Sequence, residues 1–316
     1  MTIDPQTAAI LDILNQPVAD PPAEVSITEA RAGADALFTG FAGDKVATCE
    51  TQDRQIPSPD DPVPVRIYTP PQAGDIPLPL VIFFHGGGWS LGNVAAYDSL
   101  VRALCVESNA LFISVDYRLG PEHKYPAGLR DCRAVTNWAL AQGTEIGADP
   151  DRIAVMGDSA GGTLATVVAH QINRADPGRV KAQVLIYPVM DLSRPHDHYP
   201  SRMTFGNGEY LLSRDGIDAA ENWYLSPSED RNAPEISPLR QPDLTPLPPT
   251  LMVVGGYDPL LDETVQYHED LQKAGVASEL LRYEGTIHAF LSFGCLDIAR
   301  EARRYIGAQL HRLLAT

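Results

Sequence analysis

A chain of 316 residues with 44% hydrophobic side chains suits one large α/β domain and is too apolar to stay disordered. Its formal charge of −17, with no Lys/Arg-rich block, argues against binding phosphate backbones, so no nucleic-acid partner is expected. No apolar run reaches the roughly 18 residues that cross a bilayer, and the opening MTIDPQTAAILDILNQP has no basic leader; no membrane insertion and a cytoplasmic setting are expected. Cys49, Cys105, Cys132 and Cys295 are scattered, form no CxxC pair, and are expected as reduced thiols.

Residues 1–45 mix short helical patterns with breakers. Ala8, Ile10, Leu11 and Leu14 share a helical face before Pro17, Pro21 and Pro22 interrupt the chain, and 27–38 is again amphipathic. Too short to fold alone, this segment is expected to pack as a cap on a catalytic domain spanning 46–316. From about Val46 the pattern alternates. Short apolar runs at 63–68, 80–84, 111–115, 153–156, 184–187, 251–254 and 279–283 read as strands, and amphipathic patterns at 95–108, 127–142, 161–173 and 265–274 read as helices. Continuous Val/Ile/Leu strands joined through helices indicate a buried, mostly parallel sheet. The stretch from 191 to 249 breaks the rhythm with nine prolines around a helical piece near 214–225. So long an excursion between parallel strands predicts an insertion over their carboxyl ends, where open α/β sheets bind ligands. A final amphipathic helix is expected over 298–314.

Chemistry concentrates at three places. The run IAVMGDSAGG, 153–162, holds G-x-S-x-G between a strand and a helix. A serine on so sharp a turn projects its hydroxyl from the sheet, and flanking glycines permit the turn. The pattern alone is common; the strand and helix on either side give it weight. Ser159 is therefore the candidate nucleophile. Upstream, His85-Gly86-Gly87-Gly88-Trp89 directly follows an apolar strand. Consecutive glycines expose backbone amides, so Gly87 and Gly88, with the amide of Ala160, are the expected oxyanion hole, and Gly86 the weaker donor. His85 reads as a loop-fixing residue rather than a base. A phosphate loop is disfavoured because no Lys or Ser/Thr follows the glycines in the required fashion.

In this arrangement the order is serine, acid, histidine. Of the histidines after Ser159, His170, His268 and His311 fall inside helical patterns, and His196 and His198 lie in the proline-rich insertion. His288, after the strand 279–283 and a loop over 284–287, is the expected base. The acid belongs after the preceding strand, where GGYDP puts Asp258; Asp262 and Glu263 compete, Asp262 reading as a loop-stabilising residue, and Asp191 follows an earlier strand. Trp89, Phe205, Tyr210, Leu211, Trp223, Ile287 and Leu291 are candidates for the acyl pocket, each equally readable as packing between cap and core.

HGGGW at 85–89, DYRLGPEHKYPAG at 116–128, GDSAGG at 157–162, YDPLLDE at 257–263 and His288-Ala-Phe together resemble the bacterial hormone-sensitive-lipase-like esterases of the α/β-hydrolases. The resemblance spreads over residues 85–290. It implies an eight-stranded, mostly parallel sheet with a helical cap, hydrolysis of short- to medium-chain acyl esters through an acyl-enzyme, and no metal or organic cofactor. It also implies that Asp116, Tyr117, Arg118 and Glu122 lock the loop behind the oxyanion glycines. Gly120 stands where the family more often has alanine. The expected partner is a small-molecule ester, and a homodimer through a sheet edge or the C-terminal helix is compatible with this reading. Amide, lactone or carbamate hydrolysis would use the same triad. A binding-only role, as in the plant gibberellin receptors of this branch, goes with loss of the base histidine, and His288 is present.

Overall fold

A computed structural model describes residues 2–17, 25–46, 48–72, 74 and 77–315; Pro21 and Pro22 lie outside them. Helices α1 (Pro5–Leu14) and α2 (Ile27–Gly40) precede an antiparallel pair, β1 (Glu50–Ile56) and β2 (Val63–Thr69). Then follow β3 (Leu78–Phe84), α3 (Asp98–Ser108), β4 (Leu111–Val115), α4 (Ala127–Gln142), β5 (Ala148–Asp158), α5 (Ala160–Ala175) and β6 (Val180–Ile186). The excursion holds α6 (Pro200–Phe205) and α7 (Arg214–Tyr224), before β7 (Thr250–Tyr257), α8 (Leu261–Lys273), β8 (Ser278–Ile287) and α9 (Asp297–Leu313).

One eight-stranded sheet runs β1-β2-β4-β3-β5-β6-β7-β8. It is antiparallel at β1–β2 and β2–β4 and parallel from β4 onward. Alternation along β3 shows why the central strands are apolar throughout: Leu80, Ile82 and Phe84 pack with α4 and α5 on one face, while Val81 and Phe83 pack with α3 and α9 on the other. A strand covered on both sides has no polar face to show.

Three differences from the sequence expectations have local causes. Strand β1, ETQDRQI, carries a single apolar residue, the buried Ile56; an edge strand held by backbone bonds to β2 needs no hydrophobic pattern. Helix α6 is too short to show a period. Strand β8 continues through 284–287, which the sequence suggests as a loop, because Gly255 and Gly256 of β7 allow a close approach. A Cβ on Gly256 would lie 2.4 Å from the Glu284 carbonyl oxygen, and one on Gly255 2.8 Å from that of Thr286.

Candidate active site

Strand β5 delivers Ser159 at a turn no ordinary pair of residues could make. Ser159 has φ 51° and ψ −120°, a sparsely populated conformation held by its surroundings. Beside it, a Cβ on Gly157 would meet the Gly161 carbonyl oxygen at 2.1 Å, and one on Gly161 would meet that of Phe84 at 2.0 Å. Only glycine at both positions lets the start of α5 sit against the end of β3.

Asp258 follows the last residue of β7, and His288 follows the last residue of β8. His288 Nδ1 lies 2.9 Å from Asp258 Oδ2, and Nε2 lies 3.1 Å from Ser159 Oγ. A carboxylate can only accept, so Nδ1 carries the hydrogen and Nε2 is left to take the serine proton. Asp258 is fully buried, and its other oxygen accepts from the Leu260 amide at 2.9 Å. This fixes the carboxylate's orientation before substrate arrives.

The glycine loop after β3 curls beside Ser159. Gly87, Gly88 and Trp89 have φ 103°, 58° and 56° in succession, and the Gly87 carbonyl accepts from the Ser90 and Leu91 amides. Among the described residues the amides of Gly87 and Gly88 have no acceptor, and both glycines line the cavity over Ser159. The Ala160 amide opens α5, where helix dipole and unpaired N–H groups favour negative charge. Gly86 is engaged otherwise: its amide donates to Asp158 Oδ1 at 2.8 Å. His85 is fully buried, stacks on Tyr117 at 4.4 Å and bonds its own loop through Nδ1 and the Gly86 carbonyl; burial keeps its imidazole neutral and it does not reach Ser159. Tyr117 Oη donates to the His85 carbonyl at 2.7 Å. The Asp116 amide bonds the Pro64 carbonyl, Arg118 pairs with Asp131 and Asp60, and Glu122 pairs with Arg31.

Asp158, adjacent to the candidate nucleophile, lines the same cavity and is not singled out by any local pattern in the sequence. It is buried among the Gly86 amide and the Tyr97 hydroxyl, 3.1 Å away, and burial pushes its carboxyl up to about 7 against the pull of those donors. Asp262 and Glu263 serve the covering segment: Asp262 Oδ2 accepts from the Ser201 amide at 2.7 Å, and Glu263 pairs with the buried Arg202. Asp191 pairs with Arg240 and accepts from Tyr199. His170 contacts the Asp243 carbonyl, His196 pairs with Asp218 and His268 contacts Ser278, all away from Ser159.

A cavity of about 240 Å³ opens over Ser159 and His288. Helix α2 lends it Ala34, Leu37 and Phe38; the excursion lends it Leu211, Leu212, Gly216, Ile217, Ala220 and Trp223. Of the acyl-pocket candidates, Trp89, Leu211 and Trp223 line it. The other four lie elsewhere: Phe205 packs edge-on and Tyr210 tilted against Tyr257 in an aromatic cluster, and Ile287 and Leu291 are fully buried in the core facing α3 and α9. Gly216, Ala220 and Trp223, spaced i, i+4 and i+7 on α7, form a stripe that helical periodicity could have revealed.

A family model described as the alpha/beta hydrolase fold matches residues 81–292. The esterase LipI of Mycobacterium tuberculosis is 37% identical over 255 residues, covering 79% of this chain and 78% of its own. An arylesterase of Saccharolobus solfataricus is 35% identical over 261 residues, 83% of each chain. The structure of a hyperthermophilic esterase from Pyrobaculum calidifontis superposes with a TM-score of 0.92 at 34% identity, over 100% of both chains. With this fold, these motifs in this order and these relatives, the chain belongs to the α/β-hydrolase family, in its hormone-sensitive-lipase-like branch.

Proposed function

We propose that the protein is a serine carboxylesterase for short- to medium-chain acyl esters, with Ser159 as nucleophile, His288 as base and Asp258 as the acid that orients it. The observation that carries the reading is the continuous line of hydrogen bonds from Asp258 through His288 to Ser159, beside glycine amides with no acceptor among the described residues. His288 Nε2 takes the Ser159 proton as Oγ attacks the ester carbonyl, and the carbonyl electron pair moves onto oxygen, facing the Gly87, Gly88 and Ala160 amides. Collapse expels the alcohol, which receives the proton from His288. Water, deprotonated by His288, then releases the acid and restores Ser159. Esterase relatives of comparable length support the same chemistry.

The same proposal takes the described part of the 1–45 segment, whose α2 lines the cavity, and the excursion at 191–249 as the cap over this site. At about 240 Å³, with apolar walls, the cavity is below the usual range for drug-sized ligands and suits a short chain. Nitrophenyl esters from acetate to palmitate test this: kcat/KM is expected to peak among the shorter acyl groups, and a peak at palmitate contradicts it. The exposed Cys295 thiol supports a reducing, cytoplasmic setting. A homodimer through the β8 edge or α9 belongs to the same proposal, and light scattering of the purified chain tests it.

A further inference from the structure

The oxyanion loop is built from conformations that do not hold themselves. Trp89 has no glycine's freedom, yet its φ is 56°, the third left-handed residue in a row. Such a turn persists only where its surroundings impose it. One imposing contact comes from outside the sheet. Arg31 of α2 donates through Nε to the Ser90 carbonyl at 2.9 Å and through Nη2 to the Gly120 carbonyl at 2.8 Å. Its two Nη groups also take Glu122 Oε1 and Oε2, at 2.8 and 2.7 Å. The Gly120 amide in turn donates to the Trp89 carbonyl at 2.9 Å. A single guanidinium thus binds both backbones at the point where the oxyanion loop meets the 116–122 loop. Its planar fork suits that task, whereas a lysine ammonium does not.

The same face of α2 continues the grip. Asp35, one turn on, accepts from Asn93 Nδ2 at 2.9 Å, and Phe38, a further turn on, packs on Tyr97 at 5.0 Å. Tyr97 bonds Asp158, whose other oxygen holds the Gly86 amide. Residues 31, 35 and 38 fall on one helical stripe, and all three act on the segment 86–97.

We propose that Arg31 is a positioning residue for the oxyanion hole: the N-terminal cap helix aims the Gly87 and Gly88 amides as well as walling the cavity. The inference rests on the site reading above. It predicts a defect in transition-state stabilisation rather than in substrate binding, because the donors move while the cavity walls of α7 stay.

The test uses the full chain with Arg31→Ala, Arg31→Lys and, as a control on the cavity wall outside that stripe, Leu37→Ala. For a short nitrophenyl ester, Arg31→Ala should lower kcat about tenfold to a hundredfold, with KM moving less than about threefold. A trifluoromethyl ketone gives a second readout. Ser159 Oγ adds to its carbonyl carbon, the proton passes to His288 and the carbonyl pair becomes an oxyanion. Its inhibition constant should rise in Arg31→Ala by the factor that kcat/KM falls. Millimolar guanidinium should restore part of kcat in Arg31→Ala and none in Leu37→Ala, which instead raises KM. Arg31→Lys keeps the charge without the fork and should show a smaller kcat loss; it decides the matter if the alanine variant fails to fold. Wild-type kcat in a folded Arg31 variant, a rise in KM alone, or an unchanged ketone constant overturns the proposal. If Ser159→Ala is inactive while Arg31→Ala matches wild type, only the role of Arg31 falls. If Ser159→Ala still turns over ester, the site reading itself falls.

Discussion

At the carboxyl edge of the sheet, Ser159, Asp258 and His288 each occupy the position immediately after a parallel strand, so backbone pairing sets their separations. Above that edge, α2 and the excursion that holds α6 and α7 are two segments far apart in the chain, and side-chain ties hold them down: Arg31 to the glycine loop, Arg202 to Glu263, Ser201 to Asp262 and to the Pro259 carbonyl. The first region obtains precision from a ladder of many bonds. The second depends on a few polar groups, several of them buried. On the proposed reading, the reacting groups sit on the ladder side, and selectivity sits on the side that a few substitutions could reshape.

The largest expected effect lies on the ladder side. Asp258→Asn should leave the fold intact but favour the wrong imidazole tautomer, lowering kcat on the order of 10⁴-fold. Steady-state kinetics with thermal melting checks it; a loss below about tenfold would put the orienting acid elsewhere.

On the covering side the expected effect is stability. Arg202 is 1% exposed, donates to Glu263 and to the Asp191 carbonyl, and lies over the Tyr199 ring. Arg202→Met strands a buried carboxyl and should cost about 3–5 kcal/mol in urea unfolding, with much of that recovered by adding Glu263→Gln. An undiminished midpoint in the single variant would show that the covering segment does not depend on this pair.

The smallest effect probes where the regions meet. Burial raises the Asp158 carboxyl to about 7, so its protonated form stabilises the fold at pH below the ordinary carboxylate range. That contribution fades as pH climbs through about 7. Asp158→Asn keeps an acceptor for Gly86 and a group for Tyr97 but cannot ionise. Its unfolding free energy should therefore fall less than wild type's across that window. Parallel curves would contradict the shift.

Much of the ladder side was legible in the sequence because its signals are local. The GDSAGG turn advertises strand, bend and helix within ten residues, and GGYDP puts an acid right after an apolar run. Asp258 and His288 then follow from chain order. The ties of the covering side have no local signature. Arg31 and Glu122 are 91 positions apart, and nothing around either names the other. The same gap explains Ile287 and Leu291: near the site, an apolar residue looks alike whether it faces substrate or core, and only the sheet's two faces separate the cases. Strand β1 escaped notice because an exposed edge needs no apolar pattern. Glu263, legible only as a rival acid, proves to be the buried partner of Arg202.

On the proposed reading, a single hydroxyl, at 159, carries the acyl group. Treating the folded protein with a fluorophosphonate ester, then digesting it and mapping the adduct, tests this directly. One phosphonyl group per chain is expected, on Ser159, with ester turnover lost in proportion to labelling and no adduct on the Ser159→Ala variant. Stoichiometric labelling at another residue, or full turnover in a chain modified at Ser159, would contradict it.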